Sequence, residues 1–401
     1  MALLVAPFFL LSARGRARLW ERFGFWNLPR DSYVWFHGAS LGEVNGLLPL
    51  IRGMRKAFPG ARFLLTATSV TGLERGAAEV DQVRLLPFDC SWFFAHAFGQ
   101  SQCKALIITE TELWPALIHE AKNRSAKLCL VNGIISDYSL PWYRRLGPLV
   151  RRELSRFDLI LCSSETSRQR FVELGAQAAT TFVTGNSKYD LQPSVPDAQA
   201  ARQAKQKFFT AEGPLLVLGS LRPGEEDFWF PELARCIASG QVLNVVVAPR
   251  HKEKFEFFAQ RLAEFGIQFR RRSEPSAKTE CSVVLLDTYG ELESVYSFSD
   301  VAFVGGSLVD WGGHNPLEPA CYGSFVLMGP FARNVKEIVE DLRSAGALRR
   351  ISGVGDVRRL LEELRNSPQA LRERGEKGRE VWQSHRGAGE KILARLQEVI
   401  R

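Results

Sequence analysis

Tyr33-Val-Trp-Phe-His-Gly-Ala-Ser-Leu-Gly-Glu43 runs from an apolar and aromatic stretch into a glycine-bearing turn, and Val44–Phe58 continues it with helical spacing. A short strand, a tight turn and an amphipathic helix make the repeating unit of a parallel sheet. The same alternation returns over nearly the whole chain. Further strands are expected at Ala61–Thr66, Ala105–Thr109, Leu128–Asn132 and Leu159–Ser163, then at Leu215–Gly219, Leu243–Ala248, Val283–Asp287, Val301–Val304 and Phe325–Met328. Helical patterns fall between them, for example Glu253–Phe265 and Val335–Ala345. Between the two groups lies Leu191–Gln199, LQPSVPDAQ, whose two prolines and missing apolar period read as a linker. The expectation is an α/β chain of two doubly wound, Rossmann-like domains facing a central cleft, with ligands at the carboxyl ends of the strands. Residues 1–190 form the first domain, 191–210 the linker, 211–380 the second domain, and 381–401 a charged helix that crosses back onto the first. No internal repeat or low-complexity tract interrupts this pattern.

Composition agrees with a soluble globular class. The 401 residues are 45% hydrophobic and 24% charged, which excludes wholesale disorder, collagen and coiled coil. The 52 Lys and Arg against 44 Asp and Glu leave a net charge of +8, compatible with an anionic partner but too diffuse to name one. Seven cysteines, Cys90, Cys103, Cys129, Cys162, Cys236, Cys281 and Cys321, include no CxxC pair and sit mostly in apolar runs. Their odd number and irregular spacing read as buried free thiols in a reducing compartment, with neither a disulfide framework nor a zinc site.

Met1–Ser12 is almost wholly apolar, and Arg14, Arg16, Arg18, Glu21 and Arg22 follow it. The run is shorter than the roughly 20 residues a spanning helix needs. Its charge follows the apolar stretch, the reverse of a secretory signal. An apolar tip backed by arginines suits a helix lying in the surface of an anionic membrane, and a peripheral contact on the cytoplasmic side is expected. An ordinary N-terminal helix packed on its own domain is the competing reading.

Five post-strand loops combine glycine, carboxylate and base. Ser40 and Glu43 have capping-box spacing, so Glu43 either serves the helix start or, fixed above a glycine that leaves room for substrate, is a general base. Thr109 and Glu112 repeat that spacing, leaving Glu110 without a local structural task and free to face a ligand. Lys188, in Asn186-Ser-Lys-Tyr-Asp190, is expected near the cleft mouth. In the second half, Val245–His251 leads a strand into a helix start, where unpaired N–H groups and the forked cation of Arg250 suit a phosphate. Asp287–Leu292 follows another strand, and Val304–Leu308, with Gly305, Gly306 and Ser307, lets a ligand approach the backbone closely. Gly312–Pro319 continues it, with Asn315 expected as an N-cap, Pro316 at the first helical position and Glu318 placed to bond ribose hydroxyls.

HGASLGE, TATSVTG, ETELWP, GNSKYD, APRH, DTYGEL and GGSLVDWGGHNPLEP resemble, in order and spacing, the motifs of the Kdo (3-deoxy-D-manno-octulosonic acid) transferases of lipopolysaccharide synthesis. The resemblance spans about residues 14 to 350, and the preceding Arg18–Gly24, RLWERFG, shares it. It implies a GT-B glycosyltransferase that acts without metal or other cofactor and inverts its donor. The donor implied is CMP-Kdo, the acceptor a lipid A precursor resembling lipid IVA, and the place the cytoplasmic face of the inner membrane. By position, Glu43 would be the general base, and Glu110 and Lys188 the transition-state stabilisers. Pro249, Arg250 and His251, then Tyr289, Gly290 and Glu291, then Asn315, Pro316, Leu317 and Glu318 would contact CMP, with Gly305, Gly306 and Ser307 beside it. Three departures stand out: a shorter apolar N-terminus, Ile134 where the family typically has arginine, and Tyr289 where methionine is common.

The alternatives are another GT-B enzyme, such as a nucleotide-sugar epimerase or a transferase for a different sugar, and a non-catalytic binder of nucleic acid or membrane. The last is disfavoured because no nucleic-acid motif is present and carboxylates occupy the loops that would face phosphate. Oligomeric state leaves no mark on these motifs.

Overall fold

A computed structural model describes residues 18–190, 193, 196–240, 243–274 and 282–400. The apolar run Met1–Ser12 with Arg14 and Arg16, and Cys281, lie outside the described residues. The chain divides into two compact units, one containing residues up to Asp190 together with the stretch from Arg386, the other Leu191–His385.

The first unit is built on seven parallel strands: β1 (Ser32–His37), β2 (Arg62–Ala67), β3 (Gln82–Leu85), β4 (Gln102–Thr109), β5 (Lys127–Gly133), β6 (Leu159–Cys162) and β7 (Thr181–Val183). Their order across the sheet is β3-β2-β1-β4-β5-β6-β7, with Trp35 of β1 opposite Leu64 of β2 and Leu106 of β4. The second unit repeats the plan with β8 (Leu215–Leu221), β9 (Asn244–Pro249), β10 (Arg270–Arg271), β11 (Val283–Leu285), β12 (Val301–Val304), β13 (Phe325–Met328) and β14 (Leu348–Arg350). Its order is β10-β11-β9-β8-β12-β13-β14. In a parallel sheet every carboxyl end lies at the same edge, and ligands enter where the strand order reverses. The reversals fall between β1 and β4 and between β8 and β12.

The inner strands are apolar throughout because helices cover both faces of each sheet. In the first unit, Trp35, Leu106, Ile108 and Leu130 project into one layer with Phe94, Leu117 and Leu154. Phe36, Phe63, Ile107 and Leu161 project into the other. That second layer is filled by Val44, Leu47, Ile51 and Met54 of the helix Leu41–Ala57, and by Ile392 and Leu396 of the helix Ala388–Ile400. The 3- and 4-residue spacing of these side chains gives each helix one buried stripe. Truncating a fully buried member such as Ile51 to alanine would cost about 2–5 kcal/mol.

Several expectations need correction. The span expected as the linker, 191–210, contains the helix Ala198–Gln206, started by Asp197 accepting from Ala200 N, and it belongs to the second unit. The charged C-terminal stretch is two helices. Pro368–Ser384 stays with the second unit, so that unit extends past residue 380. Ala388–Ile400 belongs to the first, after a break at Gly387, whose φ of +96° favours glycine. The helix expected over Glu253–Phe265 opens as a 3₁₀ turn, Lys252–Lys254, before Phe255–Glu264. Of the six described cysteines, all are free thiols, and only Cys90 is not buried.

Candidate functional site

The loops of interest hang from the carboxyl edges, nearest the two reversal points. At the first, β1 ends at His37, and Ser40 caps the helix Leu41–Ala57 by accepting from Glu43 N at 3.2 Å. The Glu43 carboxylate closes the box. Oε1 accepts from Ser40 Oγ at 2.8 Å and Oε2 from Ala39 N at 2.8 Å. Burial, with the negative charges of Glu110 and Glu112, nevertheless pushes its carboxyl up to about 7, against the pull of the Ser40 and Ala39 bonds. Capping therefore leaves a carboxyl that can bind and release a proton near neutral pH. His37 is fully buried, its Nδ1 is 2.9 Å from Thr66 Oγ1, and desolvation lowers it to about 4, so the imidazole is neutral.

β4 delivers Glu110 with φ of +60°, a left-handed conformation that a non-glycine residue adopts at a cost of about 1–3 kcal/mol. Its Oε1 lies 2.7 Å from Lys188 Nζ, so the two loops meet in an ion pair about a quarter exposed on each side. Lys188 sits in the 3₁₀ turn Ser187–Asp190. That turn is anchored by Asn132 Oδ1 accepting from Ser187 N and Asn186 Oδ1 accepting from Lys188 N, both at 3.0 Å. The expected Thr109–Glu112 box does not form. The next helix begins later, at Pro115, and its first amides, Ala116 N and Leu117 N, donate to Asp89. Glu112 instead accepts from Trp114 Nε1 at 2.8 Å, and burial raises its carboxyl.

The second unit gathers cations and imidazoles. Arg222, just after β8, donates from Nη1 to His251 Nε2 at 2.7 Å and from Nε to His314 Nε2 at 3.4 Å, and lies 4.7 Å over the Trp311 ring. Burial, with the charges of Arg250, Arg222 and His251, lowers His314 to about 3 and keeps it neutral. Arg250, following Pro249 at the end of β9, is exposed and forms no ion pair among the described residues. The Arg222 and Arg250 guanidiniums, with the neutral His314 ring near both, suit a phosphate-sized anion.

The glycine loop differs from its expected role. Gly306 N, Ser307 N and Leu308 N all donate to the buried Glu225 carboxylate at 2.9 Å, so these amides are already engaged. Gly305 is small because a Cβ there would lie 2.3 Å from Ser220 O. The short helix Leu317–Ala320 starts one residue later than expected, with Pro316 as cap, while Asn315 Oδ1 accepts from Leu317 N at 3.1 Å. Glu318 stands exposed at its start. Glu291 is paired with Arg272 at 2.8 Å and accepts from Thr288 Oγ1, so its carboxylate also has internal partners. Tyr289 is exposed, its hydroxyl accepting from Lys252 N at 2.9 Å beside Gly290. Among the described residues, no group of three metal-ligating side chains occurs.

Arg222, Glu225 and Trp311 escaped the sequence reading. Arg222-Pro-Gly-Glu-Glu226 follows an apolar strand and opens a helix, the same signal that marked the other loops.

Two parallel, doubly wound units in one chain, each with polar loops at its reversal point, define the GT-B class of glycosyltransferases and nucleotide-sugar epimerases. The fold is shared with the UDP-GlcNAc 2-epimerase of Neisseria meningitidis, with a TM-score of 0.64 and 12% identity over 92% of this chain and all of that one. Residues 17–191 match the family model described as 3-deoxy-D-manno-octulosonic-acid transferase (kdotransferase). The 3-deoxy-D-manno-octulosonic acid transferase of Haemophilus influenzae is 32% identical over 96% of this chain and 92% of its own length. That of Chlamydia trachomatis serovar D is 30% identical over 78% and 74%. The chain belongs to the 3-deoxy-D-manno-octulosonic acid transferase family.

Proposed function

We propose that the protein transfers Kdo from CMP-Kdo to a lipid A precursor resembling lipid IVA, with inversion and release of CMP. The observation that carries this reading is the triad of Glu43, Glu110 and Lys188 at the first reversal point, in a chain of this family. A carboxyl held near 7 is close to the ideal for a base at neutral pH. Glu43 accepts the proton of the acceptor hydroxyl as that oxygen bonds to the anomeric carbon of Kdo. The bond from that carbon to the CMP phosphate oxygen breaks, and CMP leaves with the electron pair. Glu110 faces the positive charge that develops on the sugar, while Lys188 holds Glu110 and offers a cation to the Kdo carboxylate. Arg250 and Arg222 neutralise the departing phosphate without a metal. Pro249, His251, Tyr289 to Glu291 and Asn315 to Glu318 line the nucleotide side, with Gly305 to Ser307 as the rigid floor that Glu225 holds.

The place of action is the cytoplasmic face of the inner membrane, through peripheral contact. Among the described residues no helix is long and apolar enough to cross a membrane. Trp20, Trp92 and Trp142 are 71%, 65% and 58% exposed, in segments that line one sheet face of the first unit. Arg145 lies 5.9 Å over the Trp142 ring and carries no ion pair among the described residues. Exposed aromatics beside such an arginine suit an anionic lipid surface.

The test is incubation of pure protein with CMP-Kdo, with and without a tetraacylated disaccharide acceptor, in chelator, read by mass spectrometry and CMP release. Acceptor-dependent CMP release with a mass gain of whole Kdo units is expected. CMP release without acceptor, or epimerised nucleotide sugar, would overturn the reading.

A further inference from the structure

The turn that carries Lys188 is tied at its far end to a part of the chain 197 residues away. Asp190 Oδ1 accepts from Gly387 N at 2.6 Å and Oδ2 from Gly389 N at 2.5 Å. These amides open the helix Ala388–Ile400, where unpaired N–H groups and the helix dipole favour a carboxylate. Bonds from amides to an ionised carboxylate are roughly twice as strong as neutral ones. The same helix lies against Leu41–Ala57, the helix that begins with Glu43. Leu393 packs where Gly53 leaves room, since a Cβ there would come within 2.8 Å of Leu393 Cδ2, and Ile392 and Leu396 enter the shared core. One terminal helix thus touches both the element bearing the acid and the turn bearing the lysine. Between them, the chain leaves only backbone at Gly46, where a Cβ would lie 3.8 Å from Ser187 Oγ.

We propose that Asp190 is a positioning residue for transfer: by clamping the start of the terminal helix Ala388–Ile400, it fixes the Ser187–Asp190 turn so that Lys188 meets Glu110 beside Glu43. The inference rests on the function proposed above and deepens it, because it makes residues 386–400 part of the reacting side. Asp190 itself touches no substrate in this account. Its neighbour Tyr189 is buried, so rotation of the turn after loss of the clamp is transmitted to Lys188 two residues back. A displacement of about 1 Å at a reacting group costs on the order of 100-fold in rate.

The test compares the full-length wild type with Asp190→Ala and Asp190→Asn. For Asp190→Ala, kcat/KM for CMP-Kdo is expected to fall about 10- to 100-fold, with the affinity for CMP alone held within about twofold, since the nucleotide groups belong to the other unit. Asparagine keeps one acceptor oxygen, so Asp190→Asn falls in between. The pH profile separates positioning from mere loss of folded protein. The groups facing Glu43 are Glu110, Glu112, Ser40 Oγ and the Ala39 amide. With Lys188 displaced, the Glu110 charge acts on Glu43 without its partner, and the acidic limb of kcat/KM moves to higher pH. A parallel readout needs no activity: acylation of Lys188, quantified by peptide mass spectrometry under native conditions, is expected to run severalfold faster in Asp190→Ala than in wild type. Unchanged labelling of Lys188 overturns the inference, as does a rate loss with an unmoved acidic limb. If Asp190→Ala fails to fold, the asparagine variant carries both measurements. An inactive wild type with accelerated Lys188 labelling in the variant would strike the proposed reaction and leave the clamp standing.

Discussion

Replacing Glu43 by glutamine separates its two jobs. The native carboxyl titrates near 7, whereas an ordinary glutamate titrates at 4.5. Between those pH values the unfolded chain binds fewer protons than the native one, so this group makes stability fall as pH rises through that window, and level off above it. At about 1.36 kcal/mol per pH unit, the ionised group costs the native state about 3 kcal/mol at pH 8 to 9 relative to pH 4. Glutamine removes that cost. It keeps a carbonyl oxygen for Ala39 N and an amide that can donate to Ser40 Oγ, so the loss in capping is about 1 kcal/mol. The expected outcome is a variant near or slightly below wild type in stability at pH 5 and about 1–3 kcal/mol more stable at pH 9. Transfer falls about 100- to 10,000-fold at pH 7 and above, where the wild-type carboxylate is ionised, and by less at pH 5, because an amide cannot take the proton. Urea unfolding at the two pH values, followed by tryptophan fluorescence, measures the first effect, and CMP release the second. A stability difference independent of pH would refute the raised carboxyl. Near-normal turnover would return Glu43 to capping alone.

Two further outcomes follow from the second unit. Arg250→Ala is expected to weaken CMP binding about tenfold, a loss of one charge-assisted contact, with little change in melting temperature because the side chain is exposed and without an ion pair among the described residues; isothermal calorimetry with CMP decides, and unchanged affinity contradicts the assignment. Glu225→Ala leaves the buried amides of Gly306, Ser307 and Leu308 without an acceptor, and at about 1–3 kcal/mol per unmet group it should destabilise the second unit by about 3 kcal/mol or more, read by denaturant unfolding.

The strands legible in the sequence are the inner ones. The ten expected strands correspond to β1, β2, β4, β5, β6, β8, β9, β11, β12 and β13, while β3, β7, β10 and β14 were not anticipated. Those four are the outermost strands of the two sheets. An inner strand is walled by helices on both faces and must be continuously apolar. An edge strand such as Arg270–Arg271 or Gln82–Leu85 is short and carries charge, which blunts edge-to-edge pairing but erases the pattern. The loops bearing Glu43, Glu110, Lys188 and Arg250 were legible because each follows an inner strand. Their couplings were not. Lys188 with Glu110, Glu225 with the glycine loop and Asp190 with Gly387 join residues at least 78 positions apart, and no local spacing encodes them. The capping pattern at Thr109 misled for the complementary reason: the spacing was present, but Asp89 holds that helix start, whereas Asn315 does accept from Leu317 N as its spacing suggested.

The backbone passes from the first unit to the second after Asp190 and returns at Arg386. During synthesis, therefore, the earlier half of the polypeptide waits with part of its apolar interior uncovered until the stretch bearing Ile392 and Leu396 has been made. The second unit is complete in sequence before the first one is. Nascent chains halted anywhere between the two crossings would expose that uncovered layer, making them natural clients for chaperones and proteases, and a frameshift within the codons for residues 386–400 would disable the unit whose other residues precede Leu191.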